Sequence, residues 1–352
     1  MSVSAAGGGN GRIAPTQMRV FATDVMAAAG CPGSEAALVA DVLLEADLRG
    51  VFSHGVTRLT TYALDIKEGR VRPGAEVREQ RAGPAFAVYD AQQAPGASSS
   101  TTGMQRAIAL AHDGATAFVF VNNGTHFGPA AHWALLAAEA GCIGFATSNG
   151  GGRSAVLAYG SREPALTNGP IAWAIPAGRH PAIVADMAVG ASALGKVRVA
   201  QASGQAIPAD WGVDVDGNPT TDPAQLVFLN PFAGAKGYGL GIVMETLAGI
   251  LAGAVPFANR GPEGSMVVGQ VFGAINIEVF RPLDDFRSEV DDTIDRIHAI
   301  EPADGVERVM VPGEPEWRRR DAAMATGIDY PVGLLDVVAE TGRSYDVPTF
   351  WE

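Results

Sequence analysis

The chain has 352 residues, 47% hydrophobic and 18% charged, which gives ample apolar material for a large core and excludes a disordered protein. A net charge of −13 excludes a general affinity for nucleic acid or anionic membranes. It leaves room for a small anion held by local cations such as Arg49, Arg58, Lys196 or Lys236.

Met1 to Arg12 is small, polar and Gly-rich, without the apolar run of a signal peptide, and residues 1–14 read as a disordered tail. Two cysteines, Cys31 and Cys142, are too few for a disulfide framework or a thiolate metal cage, so no metal is expected and a reducing cytoplasm is. Residues 15–72 read as a helical lobe of three helices. Leu38, Val39, Val42, Leu43 and Ala46 recur at helical spacing after the N-cap candidate Ser34, and that helix is expected to end at Gly50. Leu59, Tyr62, Ala63 and Ile66 mark the next helix, which stops at Gly69. Between them lies Arg49-Gly50-Val51-Phe52-Ser53-His54-Gly55-Val56-Thr57-Arg58. If the second helix starts a turn early, His54 and Arg58 share a face. A titratable ring beside a guanidinium clamp suits a 2-oxo or 2-hydroxy acid; an exposed loop capping a helix is the competing reading.

Residues 73–314 read as a central mixed-sheet region. Strands are predicted at 85–89, 117–121, 142–147, 171–175, 182–186, 271–280 and 306–311, and helices at 98–111, 129–140, 237–252 and 286–299. The segment 122–129 lies where a buried strand gives way to a helix, the place where open α/β sheets bind ligands, and its amides suit a phosphate. His126 there is a second acid/base candidate or a wall for a nicotinamide ring; an ordinary βα loop is the alternative. Asp186 closes an apolar run and needs a partner, either an imidazole to orient or backbone amides. Gly190 to Val197 matches the phosphate-loop pattern GxxxxGK, yet Val197 stands where a Mg²⁺-binding hydroxyl is required. Asn230 to Leu240 opens an apolar helix with small residues and Lys236, a setting for a phosphate or carboxylate. Trp211–Pro223 reads as a loop. No GxGxxG joins a strand to a helix, so a standard Rossmann site is not expected, and GxSxG and HExxH are absent. The apolar stretch Leu240–Val255 is interrupted by Glu245 and is too short to span a bilayer. Helices at 317–325 and 333–341 close the chain, and 315–352 is expected to join the N-terminal lobe.

Taken in order, these segments resemble the type 2 malate/L-lactate dehydrogenases, a family that includes L-sulfolactate, ureidoglycolate and 2,3-diketogulonate enzymes and Δ1-piperideine-2-carboxylate reductases. The resemblance runs from about Met18 to Tyr345. It rests on Asp47-Leu48-Arg49-Gly50 with Ser53-His54-Gly55 and Arg58, Thr125-His126-Phe127-Gly128, Ser148-Asn149, Pro170 to Pro176, Asp186-Met187-Ala188 and Gly195-Lys196. It continues through Gly217 to Pro223, Lys236 to Leu240, Val311-Pro312-Gly313-Glu314 and Gly327-Ile328. Departures fall at Val189-Gly190, Ala235, Asn168-Gly169 and the Gly150–Arg153 run.

The resemblance implies a non-Rossmann α/β fold on a mixed sheet with a helical lobe from both termini. It implies NAD or NADP as hydride carrier (NAD first), a small carboxylate substrate, and a homodimer. His54 becomes the proton donor or acceptor, with Ser53 and Asp186 as relay partners and His126 as a further acid/base. Arg58, with Arg49, becomes the substrate contact. His126, Phe127, Gly128, Pro129, Ala130, Ala131, Asn149, Asp186, Met187, Ala188, Lys236, Gly237, Pro312, Gly313 and Glu314 become cofactor contacts. A reductase of cyclic imines (Δ1-piperideine-2-carboxylate or Δ1-pyrroline-2-carboxylate) is the alternative within the family, and a phosphate-loop nucleotide-binding protein the remote one outside it.

Overall fold

The computed structural model describes residues 12–150, 155–202, 204–260, 267–331 and 333–351. The expected tail lies outside them as far as Gly11, and so do Gly151, Gly152 and Arg153 of the unusual glycine run. In chain order the elements are α1 (Pro15–Ala28), α2 (Gly33–Leu48), α3 (Leu59–Lys67), β1 (Arg78–Gly83), β2 (Phe86–Asp90), α4 (Gly96–Gly114), β3 (Thr116–Gly124), α5 (Ala130–Glu139), β4 (Cys142–Ser148) and β5 (Ala155–Leu157). There follow β6 (Pro164–Thr167), β7 (Pro170–Ile175), β8 (Ile183–Ala188), α6 (Leu194–Ala202), β9 (Gly212–Val213), β10 (Phe228–Leu229) and α7 (Ala235–Met244). The chain closes with β11 (Val268–Asn276), α8 (Leu283–His298), α9 (Glu314–Thr326) and α10 (Leu334–Ser344).

These elements form two compact units, one of residues up to Gly74 with Pro315–Glu352, the other Ala75–Glu314. In the terminal unit α1 packs on α2 and α3, and α10 on α3. Met18, Phe21, Val25, Val39, Leu43 and Leu335 fill its interior, and of these Val39 and Leu43 belong to the helical spacing read from the sequence. Ile13, expected in the tail, is instead buried and exchanges two backbone hydrogen bonds with Ile328.

The larger unit is built on a seven-stranded sheet in the order β1-β2-β3-β11-β4-β7-β8. Only β2 and β3 run parallel; every other neighbouring pair is antiparallel. The sheet is therefore mixed and not a Rossmann arrangement, as expected. α4 and α5 cover β3, β11, β4 and β7, while the helical stretch after α7 packs against β11 and β4. That explains why β11, near the middle of the sheet, is buried almost throughout. A smaller sheet, β6-β5-β10-β9, has strands too short to be legible in the sequence.

Three expectations change. The apolar run after Val271 leaves the sheet at Asn276, whose side chain accepts the Glu278 amide and starts a 3₁₀ turn at Ile277–Val279. Residues 306–311 form no strand; despite their β-rich composition they pair with none. The helix after Lys236 widens to π geometry over Glu245–Leu251, where the buried Glu245 accepts the Thr167 amide (2.9 Å), the Thr167 hydroxyl (2.6 Å) and the Phe257 amide (3.1 Å). No helix among the described residues is long and apolar enough to cross a membrane.

Candidate active site

In the terminal unit, α2 is capped at Arg49 and Gly50 turns the chain with φ +75°. Two 3₁₀ turns follow, Phe52–His54 and Val56–Arg58, with an extended Gly55 between them, before α3 begins. His54 and Arg58 therefore do not sit four apart on one helix. Hydrogen bonds hold the chain out of a continuous helix: the Val56 amide bonds to the Asp47 carboxyl at 3.0 Å, while the Phe52 carbonyl takes the Gly55 amide and the Thr57 hydroxyl.

The double turn nevertheless gathers the predicted groups. Ser53 Oγ lies 2.9 Å from His54 Nδ1, and Arg58 Nε donates to the Ser53 carbonyl at 2.7 Å. One edge of the guanidinium thus fixes the turn, and the Nη edge can meet a carboxylate at two points. Arg58 has no carboxylate partner among the described residues. Burial pushes the His54 imidazole down to about 4, and the Arg58 charge adds to the shift. The ring is neutral at ordinary pH. Arg49, expected beside Arg58 as a substrate contact, is buried, with its guanidinium 4.0 Å from the centre of the Trp317 ring and its Nε 3.4 Å from Glu45. Its charge is already matched inside the unit.

In the larger unit, one edge strand organises the other predicted segments. The β8 amide of Val184 bonds to the Pro312 carbonyl at 3.0 Å, which seats Pro312-Gly313-Glu314 beside the strand. Two residues on, Asp186 Oδ2 accepts the Ala131 amide at 3.1 Å, in the first turn of α5. Past the strand's end, Val189 accepts the Phe232 amide and Gly190 bridges Pro231, which fixes the turn leading to Lys236 and α7. From Val184 to Val189 this spans roughly 16 Å at the rise of a strand.

Several roles are corrected here. Asp186 is exposed and lies within an edge strand, so it is not the costly buried carboxylate the apolar run suggested. It accepts one first-turn amide of α5, that of Ala131, and places a carboxylate at that helix start. Asn149 is buried, and its side chain donates to the Val255 carbonyl (3.0 Å) and accepts the Gly269 amide (2.9 Å), which ties two backbone segments together. Glu314 is bound by Arg308 and by His298 (2.9 Å). Gly190–Lys196 does run from a strand into a helix, but that strand is an antiparallel edge and Val197 is buried.

His126 precedes α5 by four residues, and its Nδ1 accepts the Gly128 amide at 3.4 Å. The turn it occupies is held from below. Trp133 Nε1 donates to the Phe127 carbonyl at 2.9 Å, and Phe127, Trp133 and Phe272 form a buried ring cluster. Gln270, fully buried, donates to the Thr125 carbonyl at 2.9 Å and accepts from Ser99 at 3.0 Å. Sequence reasoning missed Gln270, which looks like any polar residue in a strand.

The malate/L-lactate dehydrogenase model matches residues 13–338. The chain belongs to that family. L-sulfolactate dehydrogenase of Methanocaldococcus jannaschii is 34% identical over 311 residues, 87% of this chain and 89% of that protein. Ureidoglycolate dehydrogenase (NAD(+)) of Escherichia coli is 34% identical over 86% of this chain and 87% of its own length. The crystal structure of malate dehydrogenase from Entamoeba histolytica superposes with a TM-score of 0.89 at 29% identity, covering 96% of this chain and 99% of that one. Membership makes the chain an oxidoreductase of the 2-hydroxyacid dehydrogenase type.

Proposed function

We propose that this dehydrogenase interconverts a small 2-hydroxy acid and its 2-oxo acid with NAD, in preference to NADP, and that His54 carries the proton. The observation that carries this reading is the double turn, which sets Ser53 on His54 Nδ1 and braces Arg58 against the Ser53 carbonyl. With Nδ1–H donated to Ser53 Oγ, Nε2 holds the lone pair that takes the substrate hydroxyl proton. A neutral ring is the form that oxidation needs. In the reverse direction, the substrate carboxylate against Arg58 offsets the charge that keeps the ring unprotonated, so that an imidazolium can form and donate.

When bound, the nicotinamide accepts or returns the hydride at the carbon bearing the oxygen. The residues along β8 fit such a group. Lys236 is an exposed cation at the start of α7, and a Cβ on Gly237 would lie 2.1 Å from the Phe232 carbonyl, so the helix entry stays close-packed and narrow. Lys236 would meet the diphosphate, Asp186 to Ala188 and the Pro312–Gly313 turn would line the dinucleotide, and the His126 ring would face the nicotinamide. A homodimer belongs to the same reading, supported by the exposed Leu240, Val243, Ile250 and Leu251 along α7 and its π extension.

The test is turnover with NAD and NADP against malate, lactate, sulfolactate and ureidoglycolate, with the matching 2-oxo acids and cyclic imines in reverse. His54→Ala should lower kcat by about 10²–10⁴-fold, the range for a general acid or base. Reduction confined to cyclic imines, or native turnover in His54→Ala, would overturn the assignment.

A further inference from the structure

Beneath the double turn lies a carboxyl with no role in the scheme above. Asp47, in the last turn of α2, is 1% exposed. Its Oδ2 accepts both the Val56 amide and the Tyr330 hydroxyl, each at 3.0 Å. Its Oδ1 has no hydrogen-bond partner and faces Gly55 so closely that a Cβ there would lie 1.6 Å away. We propose that Asp47, backed by Tyr330, is the positioning residue of the active site: it fixes the turn that presents Ser53, His54 and Arg58 to the substrate. The inference rests on the role given to His54 above.

Short 3₁₀ turns supply few bonds of their own, and the amide opening the second turn has no carbonyl within reach. Asp47 satisfies that amide from nine residues away, acting as a cap delivered by tertiary structure and not by the adjacent residue. Tyr330 braces the other half: its ring centre lies 5.6 Å from that of Phe52, the first residue of the first turn. One oxygen and one ring therefore hold both turns across Gly55, where only glycine leaves room for the carboxyl. A buried carboxyl costs far more than an apolar side chain of its size, so its presence calls for a return elsewhere than in core stability. Burial pushes Asp47 up to about 8, against the lowering effect of its two hydrogen bonds. Near neutral pH it is mostly the neutral acid, for which asparagine is the neutral isostere.

The experiment compares Asp47→Ala, Asp47→Asn, Tyr330→Phe and His54→Ala in the full-length protein. Kinetics are read for the best acid substrate of the panel above, and NADH affinity by fluorescence. Asp47→Ala should lower kcat/KM for the acid by about 10- to 100-fold, the cost of a displacement of roughly 1 Å in a catalytic group. NADH affinity should stay within about twofold, because among the described residues Asp47 bonds only to Val56 and Tyr330, neither of which is assigned to the cofactor. Asparagine, which keeps the accepting oxygen, should restore kcat/KM to within about threefold of native. The proposal is overturned if Asp47→Ala turns over like the native protein, if asparagine is as impaired as alanine, or if NADH affinity falls in step with kcat. Should Asp47→Ala fail to fold, Tyr330→Phe decides: a fall of about three- to tenfold supports the proposal and native kinetics refute it. Native turnover in His54→Ala would instead refute the role of His54, whatever the Asp47 variants do.

Discussion

Lowering the pH from neutrality should leave His54 unprotonated until about 4, well after an ordinary histidine at 6.5 has taken its proton. Burial is the main cause, because the imidazolium loses more hydration than the neutral ring, and the Arg58 charge acts in the same direction. A fall from 6.5 to about 4 corresponds to about 3 kcal/mol at about 1.4 kcal/mol per pH unit. The folded pKa is depressed, so the unfolded chain binds the proton first. The stability tied to this group is whole above 6.5 and is lost as pH falls through about 4. Proton–carbon NMR of the six histidine rings would follow this directly, with His54→Ala identifying the signal. Arg58→Gln should move the His54 midpoint upward but leave it below 6.5, since the larger cause remains. A native midpoint near 6.5, or a downward movement in Arg58→Gln, would refute the reasoning. The same titration bears on catalysis, because the oxidation rate should hold its plateau well below the usual histidine limb.

Arg58→Lys keeps the charge but loses the planar fork and the brace on Ser53, so steady-state kinetics should show the KM for the acid rising roughly ten- to hundredfold with NADH affinity unchanged. Asp47 titrates the opposite way from His54: its folded pKa is raised from 3.8 to about 8, so its contribution is whole below 3.8 and lost as pH rises through about 8. Urea unfolding should accordingly find Asp47→Asn gaining on the native protein between those values and level above them. Glu245→Ala leaves the Thr167 and Phe257 donors unmatched in a buried site, and denaturation should show a loss of at least about 2 kcal/mol.

Much of the architecture is local in origin and was legible. Periodic apolar spacing marked α2 and α3, and β-rich apolar runs marked β3, β4, β7 and β8, because burying one face of a helix or both faces of a strand leaves its period in the chain. The double turn around His54 was legible as a set of residue types, and their order along the chain identified the family. The geometry of that turn was not. It depends on Asp47 reaching the Val56 amide and on Tyr330, 283 residues away in sequence, completing the contact.

The other misreadings have the same origin. An apolar run continued past Asn276, yet a side-chain bond to Glu278 ended the strand. Residues 306–311 had strand composition and no partner, and a strand exists only where a ladder forms. Asp186 was read as the buried end of a strand because the sequence cannot say which strand forms the edge of a sheet. The sheet order decided that, placing β8 outermost and turning a costly carboxylate into an exposed cap on α5. Local spacing therefore determined which residues were available for the chemistry. Which of them became braces and which face a substrate was set by long-range contacts, whose energies depend on burial and pairing that no local window contains.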